Sequence, residues 1–155
     1  MNRLLPQGFV IEAFPLPPSI VDLVVSEDWK AVDDAFKSLC TPGGELFDLL
    51  SSYGKFSTIE TMISIRDAKN EYEEDGIWHD DGSRLFAFSL SLTPDAQSLE
   101  GGNLEIRRTN QADSILIPTP QFGNAIVFLT GVHGFEHRTR RVIRGRRIIL
   151  VGWCS

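Results

Sequence analysis

The pattern of hydrophobic and polar residues divides the chain into a helical first third and a β-rich remainder. Residues 26–39 carry apolar side chains at helical spacing after a candidate N-cap at Ser26: Trp29, Val32, Phe36 and Leu39. A second helix is predicted over residues 45–53, with Gly54 placed to end it. The proline-rich residues 14–18, which precede both helices, are expected to be extended.

After residue 57 the apolar positions alternate, as in β-strands. Residues 84–92 show this most clearly, because phenylalanine and leucine alternate there with alanine and serine. Further predicted strands are separated by Gly, Pro, Asn and Asp residues and cover 59–65, 103–107, 114–117, 124–129 and 147–153. Helices followed by many short strands predict a mainly β fold, in which residues 1–56 buttress a double-stranded β-helix (jelly roll) formed by residues 57–154.

Composition limits the class of protein. A chain of 155 residues with 42% hydrophobic residues can build one sizeable core, so a single domain over residues 1–155 is expected. The net charge of -6 does not favour nucleic acid as a partner, and no segment has the apolar length of a membrane span or of a signal peptide. Cys40 and Cys154 are far apart in sequence and are interpreted as reduced thiols of a cytoplasmic protein. The oligomeric state is not predicted.

Three histidines are present, and all lie in the β-rich region: His79, His133 and His137. His79 and Asp81 are two residues apart, so in an extended backbone their side chains leave on the same side. With a second histidine from a distant strand they would form a set of two imidazoles and one carboxylate, which suits iron(II) because coordination positions stay open. The competing interpretation is a polar turn, since the sequence Asp-Asp-Gly-Ser at residues 80–83 favours turns.

An arginine-rich stretch at residues 138–147 contains six arginines, although the protein is acidic overall. Arg146 and Arg147 adjoin the last apolar strand, where a guanidinium is best tolerated if it meets a fixed anion such as a carboxylate. The two side chains point to opposite faces of the strand, and alternation alone does not choose between them.

These motifs resemble, in content and order, those of the iron(II)/2-oxoglutarate-dependent dioxygenases of the prolyl-hydroxylase-like group. The shared pattern comprises an HxD motif, a Gly-Gly-x-Leu turn, a Gly-x-x-x-x-Phe strand, a histidine, a basic residue ten positions later and a strand ending in Trp. In this chain the corresponding residues are His79 and Asp81, Gly101 to Leu104, Gly123 to Phe128, His137, Arg147 and Trp153. The resemblance spans roughly residues 57 to 154.

The resemblance implies a mechanism and a site. His79, Asp81 and His137 would hold Fe(II), and Arg147 would bind the distal carboxylate of the cosubstrate 2-oxoglutarate. Dioxygen would be the oxidant, and ascorbate is a compatible addition. The reaction would hydroxylate an unactivated C–H bond of a prolyl, peptidyl or amino-acid-like substrate. The ten-residue step to Arg147 favours His137 over His133 as the distal ligand, and the same spacing favours Arg147 over Arg146.

Two departures from the family pattern bear on the substrate. Thr139 and Arg141 stand where many relatives have valine and proline, and no tyrosine matches the one that often helps to hold 2-oxoglutarate. Two alternatives belong to other classes: a cupin-like metal-binding jelly roll without 2-oxoglutarate chemistry, and a module that binds an anion or nucleic acid through the arginines of residues 138–147.

Overall fold

The computed structural model describes residues 3–155, in which three helices lie near the N-terminus and ten strands account for most of the rest. The helices are α1 (Ser19–Val25), α2 (Trp29–Leu39) and α3 (Glu45–Ser51). The strands are β1 (Phe9–Ala13), β2 (Ile59–Asp67), β3 (Phe86–Ser91), β4 (Glu100–Gly101), β5 (Leu104–Arg108), β6 (Ser114–Ile117), β7 (Asn124–Leu129), β8 (Phe135–Thr139), β9 (Val142–Arg144) and β10 (Arg146–Cys154).

The predicted helix over residues 26–39 is present as α2, but its start was predicted wrongly. Asp28 is the N-cap, because its carboxylate accepts a hydrogen bond from the backbone N–H of Ala31 at 3.1 Å. Ser26 instead ends α1, a short helix that follows the proline-rich segment and was not predicted. Prolines before a helix are compatible with its first turn, so the segment 14–18 leads into a helix and is not only an extended connection.

The larger sheet has five antiparallel strands in the order β1-β7-β3-β10-β2. One of its faces packs on the N-terminal helices: on β3, the Phe86 ring lies 6.2 Å from that of Tyr53, which follows α3. Gly152 of β10 lies opposite Phe88, and any Cβ there would meet the Phe88 ring at 2.1 Å. The strand ladder on this face therefore requires a glycine. The opposite face, which carries Ser89 and Arg147, faces the smaller sheet.

The smaller sheet consists of β6-β5-β8, and a two-stranded ribbon of β4 and β9 lies beside it. Two sheets that face each other, with helices on the outside of the larger one, form the mainly β fold that was predicted. The bounds of β6 and β7 match the predictions, whereas β1, β4, β8 and β9 were missed. In β8 the alternation is hidden, because the inward positions are Phe135 and His137 and the outward positions carry Glu136 and Arg138.

Candidate active site

His79 and His137 lie directly opposite each other in a short antiparallel bridge. The backbone N–H of His79 donates to the carbonyl of His137 at 2.9 Å, and the N–H of His137 donates to the carbonyl of His79 at 2.8 Å. Opposed residues of an antiparallel pair send their side chains to the same face. The two imidazole rings accordingly lie 4.2 Å apart between the sheets.

Asp81 reaches these histidines through a turn, which corrects the expected extended backbone. Asp81 has φ +60°, in the left-handed region, and Gly82 follows with φ +64°. The Asp80 carboxylate accepts a hydrogen bond from the N–H of Gly82 at 3.0 Å and closes the turn. The interpretations as a polar turn and as a metal ligand are therefore compatible, since the turn directs the Asp81 carboxylate back to the imidazoles.

The three side chains offer ligand atoms that all lie within 4.8 Å of one another and could hold a metal ion. The Asp81 carboxylate lies 3.7 Å from Nε2 of His79 and 3.4 Å from Nε2 of His137. Nδ1 of His79 lies 3.1 Å from the carbonyl of Ile77, and donation of its proton to that oxygen leaves the Nε2 lone pair facing the cluster.

The electrostatic setting of the three residues fits a cation. Burial, together with the smaller effect of the charge of His79, lowers the pKa of His137 to about 3, so the imidazole is neutral near pH 7 and can act as a ligand. Burial also raises the pKa of Asp81, although His79 and a hydrogen bond with the side chain of Trp153 oppose this. One carboxylate oxygen of Asp81 is buried without a hydrogen-bond partner in residues 3–155. A metal ion would compensate that desolvated oxygen.

Arg147 is buried in the same cleft, which lies between the two sheets and has an empty volume of about 590 Å³ with its open mouth included. Nε of Arg147 donates to the hydroxyl of Thr119 at 3.2 Å, and Nη2 donates to the hydroxyl of Ser89 at 3.5 Å. Within the described residues no carboxylate forms an ion pair with it. Burial lowers its pKa to about 9, which leaves it charged at neutral pH. Such a guanidinium is placed to receive an anion.

The two alternatives from the sequence lie elsewhere. Arg146 is on the outer face of β10, where it pairs with Glu27. His133 lies in a short 3-10 turn after β7 and is not part of the cluster of ligand atoms found in residues 3–155. The structure therefore brings His137 and Arg147 into the cleft and leaves His133 and Arg146 outside it.

Most of the other arginines of the stretch 138–147 have carboxylate partners. Arg138 and Arg140 both contact Glu105, at 2.7 Å and 3.1 Å. Two more pairs join Arg141 to Glu71 and Arg144 to Glu100. Their charge is thus largely compensated inside the protein, which weakens the interpretation as an anion- or nucleic-acid-binding module.

The indole of Trp78 supports the histidine bridge from behind, on the outer face of the smaller sheet. The guanidinium carbon of Arg107 lies 3.9 Å from the centre of the Trp78 ring, and that of Arg138 lies 4.4 Å away. Cation–π contacts of this kind hold the segment before His79 against β5 and β8.

Three residues near Arg147 were not predicted from the sequence. Ser89 had a visible signal, because alternation places it opposite the phenylalanines of β3. Thr119 lies in a loop between prolines and carried none. Arg66 lines the cleft because it is the register partner of Arg147 in the β2–β10 ladder. That register is set by the folded sheet and is not visible in the sequence.

Two imidazoles and one carboxylate grouped on one side of a potential metal position are the arrangement that non-haem iron oxygenases use. The sequence model of the 2OG-Fe(II) oxygenase superfamily matches residues 68–155, more than half of the chain. The chain belongs to this superfamily and is an iron(II)- and 2-oxoglutarate-dependent dioxygenase, with dioxygen as its second cosubstrate. The match also decides against the cupin-like alternative.

Solved structures with the same fold include several prolyl hydroxylases. The chain is similar to a Pseudomonas putida prolyl-4-hydroxylase, with 20% identity, TM-score 0.62, and coverage of 99% of this chain and 91% of that one. It is also similar to a Phytophthora capsici prolyl 4-hydroxylase, with 12% identity, TM-score 0.68, and coverage of 99% and 60%. These likenesses confirm the predicted jelly roll. No curated protein matches the chain.

A third similar structure is a Trichoplax adhaerens prolyl hydroxylase in complex with a hypoxia inducible factor peptide fragment. The identity is 16%, the TM-score is 0.58, and the match covers 99% of this chain and 86% of that one. Separately, none of the helices in residues 3–155 has the length and the apolar content needed to cross a bilayer.

Proposed function

We propose that His79, Asp81 and His137 hold the iron of this dioxygenase and that Arg147 binds the distal carboxylate of 2-oxoglutarate. The observation that carries the proposal is one cleft that contains both a cluster of three ligand side chains and a buried arginine with no ion pair in residues 3–155. Either feature alone could be purely structural, the cluster as part of a polar turn and the arginine as a support of the sheet. Both together match one cosubstrate that chelates a metal at one end and carries a carboxylate at the other.

The protein's own groups would orient the reactants and exclude water. His79 and His137 present Nε2, the Asp81 carboxylate lies between them, and the guanidinium of Arg147 fixes the far end of the cosubstrate through two hydrogen bonds. When bound, iron(II) supplies the oxidising chemistry by which 2-oxoglutarate and dioxygen yield succinate, carbon dioxide and a hydroxylated product. Leu104, Phe128 and Val151 line the walls and keep water from the cleft.

The substrate we propose is a prolyl, peptidyl or amino-acid-like molecule. The support is the shared fold with prolyl hydroxylases, one of which was solved with a peptide. We also propose that the chain forms a single domain, for which the support is one core cluster shared by the helices and both sheets. A cytoplasmic location is proposed as well, and the free thiols of Cys40 and Cys154 are its support.

The direct test is succinate formation from 2-oxoglutarate with Fe(II) and dioxygen, measured with a panel of proline-containing peptides and free amino acids. Arg147→Met should abolish succinate formation and leave Fe(II) binding intact. Arg146→Met is the matched control, because it removes the neighbouring guanidinium from the outer face, and it should retain wild-type turnover. Turnover that survives Arg147→Met would contradict the proposed role of Arg147.

A further inference from the structure

Arg66 is a second arginine in the cleft. It lies directly opposite Arg147 in the β2–β10 ladder, and both side chains line the cleft. Opposed residues of an antiparallel pair have Cβ atoms about 4.5–5.5 Å apart. Two guanidinium groups that line one cleft would together attract an anion with more charge than a single carboxylate, and the positive charge of Arg66 lowers the pKa of Arg147.

Asp75 compensates the charge of Arg66. Its carboxylate forms an ion pair with Nη1 of Arg66, and both side chains are only 11% exposed. Glu74 also contacts Arg66, at 3.2 Å, but the Glu74 side chain is 81% exposed, so water and salt screen that pair. Asp75 is thus the carboxylate whose charge acts on the cleft, and it raises the pKa of Arg147 against the effect of Arg66.

The position of Asp75 is fixed from the side of the smaller sheet. The N–H of the next residue, Gly76, donates to the carbonyl of Thr139 on β8 at 2.8 Å, and its carbonyl accepts from Arg138 at 3.4 Å. The segment 68–78 therefore connects the edge of β2 to β8. These contacts hold the Asp75 carboxylate in its partly buried position against the guanidinium of Arg66, which lines the cleft.

We propose that Asp75 is a charge-specificity residue of the cleft: by pairing with Arg66 it leaves Arg147 as the one arginine lining the cleft that can bind an anion. The cleft thereby selects a cosubstrate whose distal group is a carboxylate with one negative charge over anions that carry two charges on one group, such as sulfate. This inference rests on the proposed role of Arg147. Asp75 and Arg66 would discriminate between anions, whereas Arg147 would bind the distal carboxylate of the cosubstrate.

The test is competition by sulfate, a small dianion, against 2-oxoglutarate. The dissociation constant of 2-oxoglutarate is measured calorimetrically on the Fe(II)-loaded protein without oxygen, with sodium sulfate and then with sodium chloride at matched ionic strength. In Asp75→Asn the freed Arg66 should strengthen inhibition by sulfate about tenfold relative to wild type, since two close cations each contribute a charge-assisted hydrogen bond. Unchanged inhibition by sulfate in this variant would overturn the proposal.

The double variant Asp75→Asn/Arg66→Gln separates charge from structure. It lacks the ion pair as well, but the cleft again has one cation, so weak wild-type competition by sulfate should return. If the double variant is inhibited as strongly as the single one, loosening of the segment 68–78 is the cause and the proposal is wrong. Glu73→Gln is the matched control: it removes one exposed charge from the same segment and should leave sulfate inhibition unchanged.

Binding of 2-oxoglutarate to Arg147→Met, compared with wild type, distinguishes failure of this inference from failure of the proposed function. If Arg147→Met binds 2-oxoglutarate as well as wild type does, the proposed function has failed at its cosubstrate site, and the inference fails with it. If binding depends on Arg147 while Asp75→Asn leaves selectivity unchanged, only the inference has failed.

Discussion

The two ends of the cleft are built in different ways. At the metal end, His79 and Asp81 belong to a connecting segment that is held to β8 by the bridge between His79 and His137 and closed by a turn. At the anion end, Arg147 lies near the start of β10, a strand that is paired with β2 along its length and with β3 from Ile149 onward. The metal end therefore depends on a few local contacts, and the anion end depends on the whole larger sheet.

Because of this difference, we expect the two ends to contribute separately to metal binding and to cosubstrate binding. A ligand set that includes a turn can adjust by small rotations when an ion binds, whereas a guanidinium buried at 4% exposure has one place to meet an anion. If the proposed roles hold, the anion end would select the cosubstrate by its length and charge, and the metal end would adjust to the ion. Substitutions at the two ends should separate metal affinity from cosubstrate affinity.

The largest effect is expected at the metal end. Asp81→Asn removes the one carboxylate of the cluster. Loss of a residue that only hydrogen-bonds to a metal ligand costs about 10–100-fold in metal affinity, so loss of a ligand itself should cost at least about 100-fold. Fe(II) affinity is measured by anaerobic calorimetry. The neighbouring Asp80→Asn can still accept the hydrogen bond from Gly82 and should stay near wild type. Equal losses in both variants would show that the turn, and not the ligand, was damaged.

The next effect is expected at the anion end. Thr119→Val keeps the shape of the side chain but removes the hydroxyl that accepts from Nε of Arg147. A guanidinium that loses such a partner is held less firmly, at a cost of about 1–2 kcal/mol, so 2-oxoglutarate should bind roughly tenfold more weakly. Fe(II) affinity should not change. A parallel loss of metal affinity would contradict the separation of the two ends.

A smaller effect on Fe(II) affinity is expected from substitution of Trp78, which lies behind the histidine bridge. Trp78→Leu removes the ring that the guanidinium groups of Arg107 and Arg138 contact. These contacts are worth about 0.5–1 kcal/mol each and only part of that acts on the histidine bridge, so Fe(II) affinity should fall roughly three- to tenfold. Binding of 2-oxoglutarate to the fully loaded protein should change less. No change in metal affinity would show that the bridge between His79 and His137 needs no such support.

The smallest effect concerns the acid stability of the smaller sheet. Hydrogen bonding with Arg138 holds the pKa of Glu105 below its ordinary value of 4.5, so the carboxylate stabilises the fold above pH 4.5 and this contribution is lost as the pH falls further. Glu105→Gln should lower the free energy of unfolding by about 1–2 kcal/mol at pH 7. In thermal melts the difference from wild type should shrink as the pH falls below 4.5. A constant difference would exclude this cause.

The sequence predicted the fold where burial follows a simple period. The stripe of α2 is buried at Val32 and Phe36, and β6 and β7 have the predicted bounds. It failed where polar residues interrupt the pattern: Arg and Glu alternate with the buried residues of β8, and the prolines before α1 suggested an extended segment. Local periodicity does not show whether neighbouring strands cover one face of a strand that is rich in polar residues.

The site was predictable as a set of residues but not as a geometry. His79, Asp81, His137 and Arg147 lie in one cleft, and their roles stay proposals. The path of the backbone at Asp81 was predicted wrongly, because the left-handed turn depends on hydrogen bonds that the motif does not specify. The contribution of Asp75 could not be seen at all, since its partner Arg66 faces the cleft only through the register of β2 with β10.

The most direct measurement is a crystal structure of the protein grown without oxygen in the presence of Fe(II) and 2-oxoglutarate. We expect one metal ion about 2.0–2.2 Å from Nε2 of His79, Nε2 of His137 and an oxygen of Asp81, by analogy with other divalent ions on such ligands. The distal carboxylate of 2-oxoglutarate should lie on the guanidinium of Arg147. A metal ion bound by His133, or a carboxylate on Arg146, would contradict it.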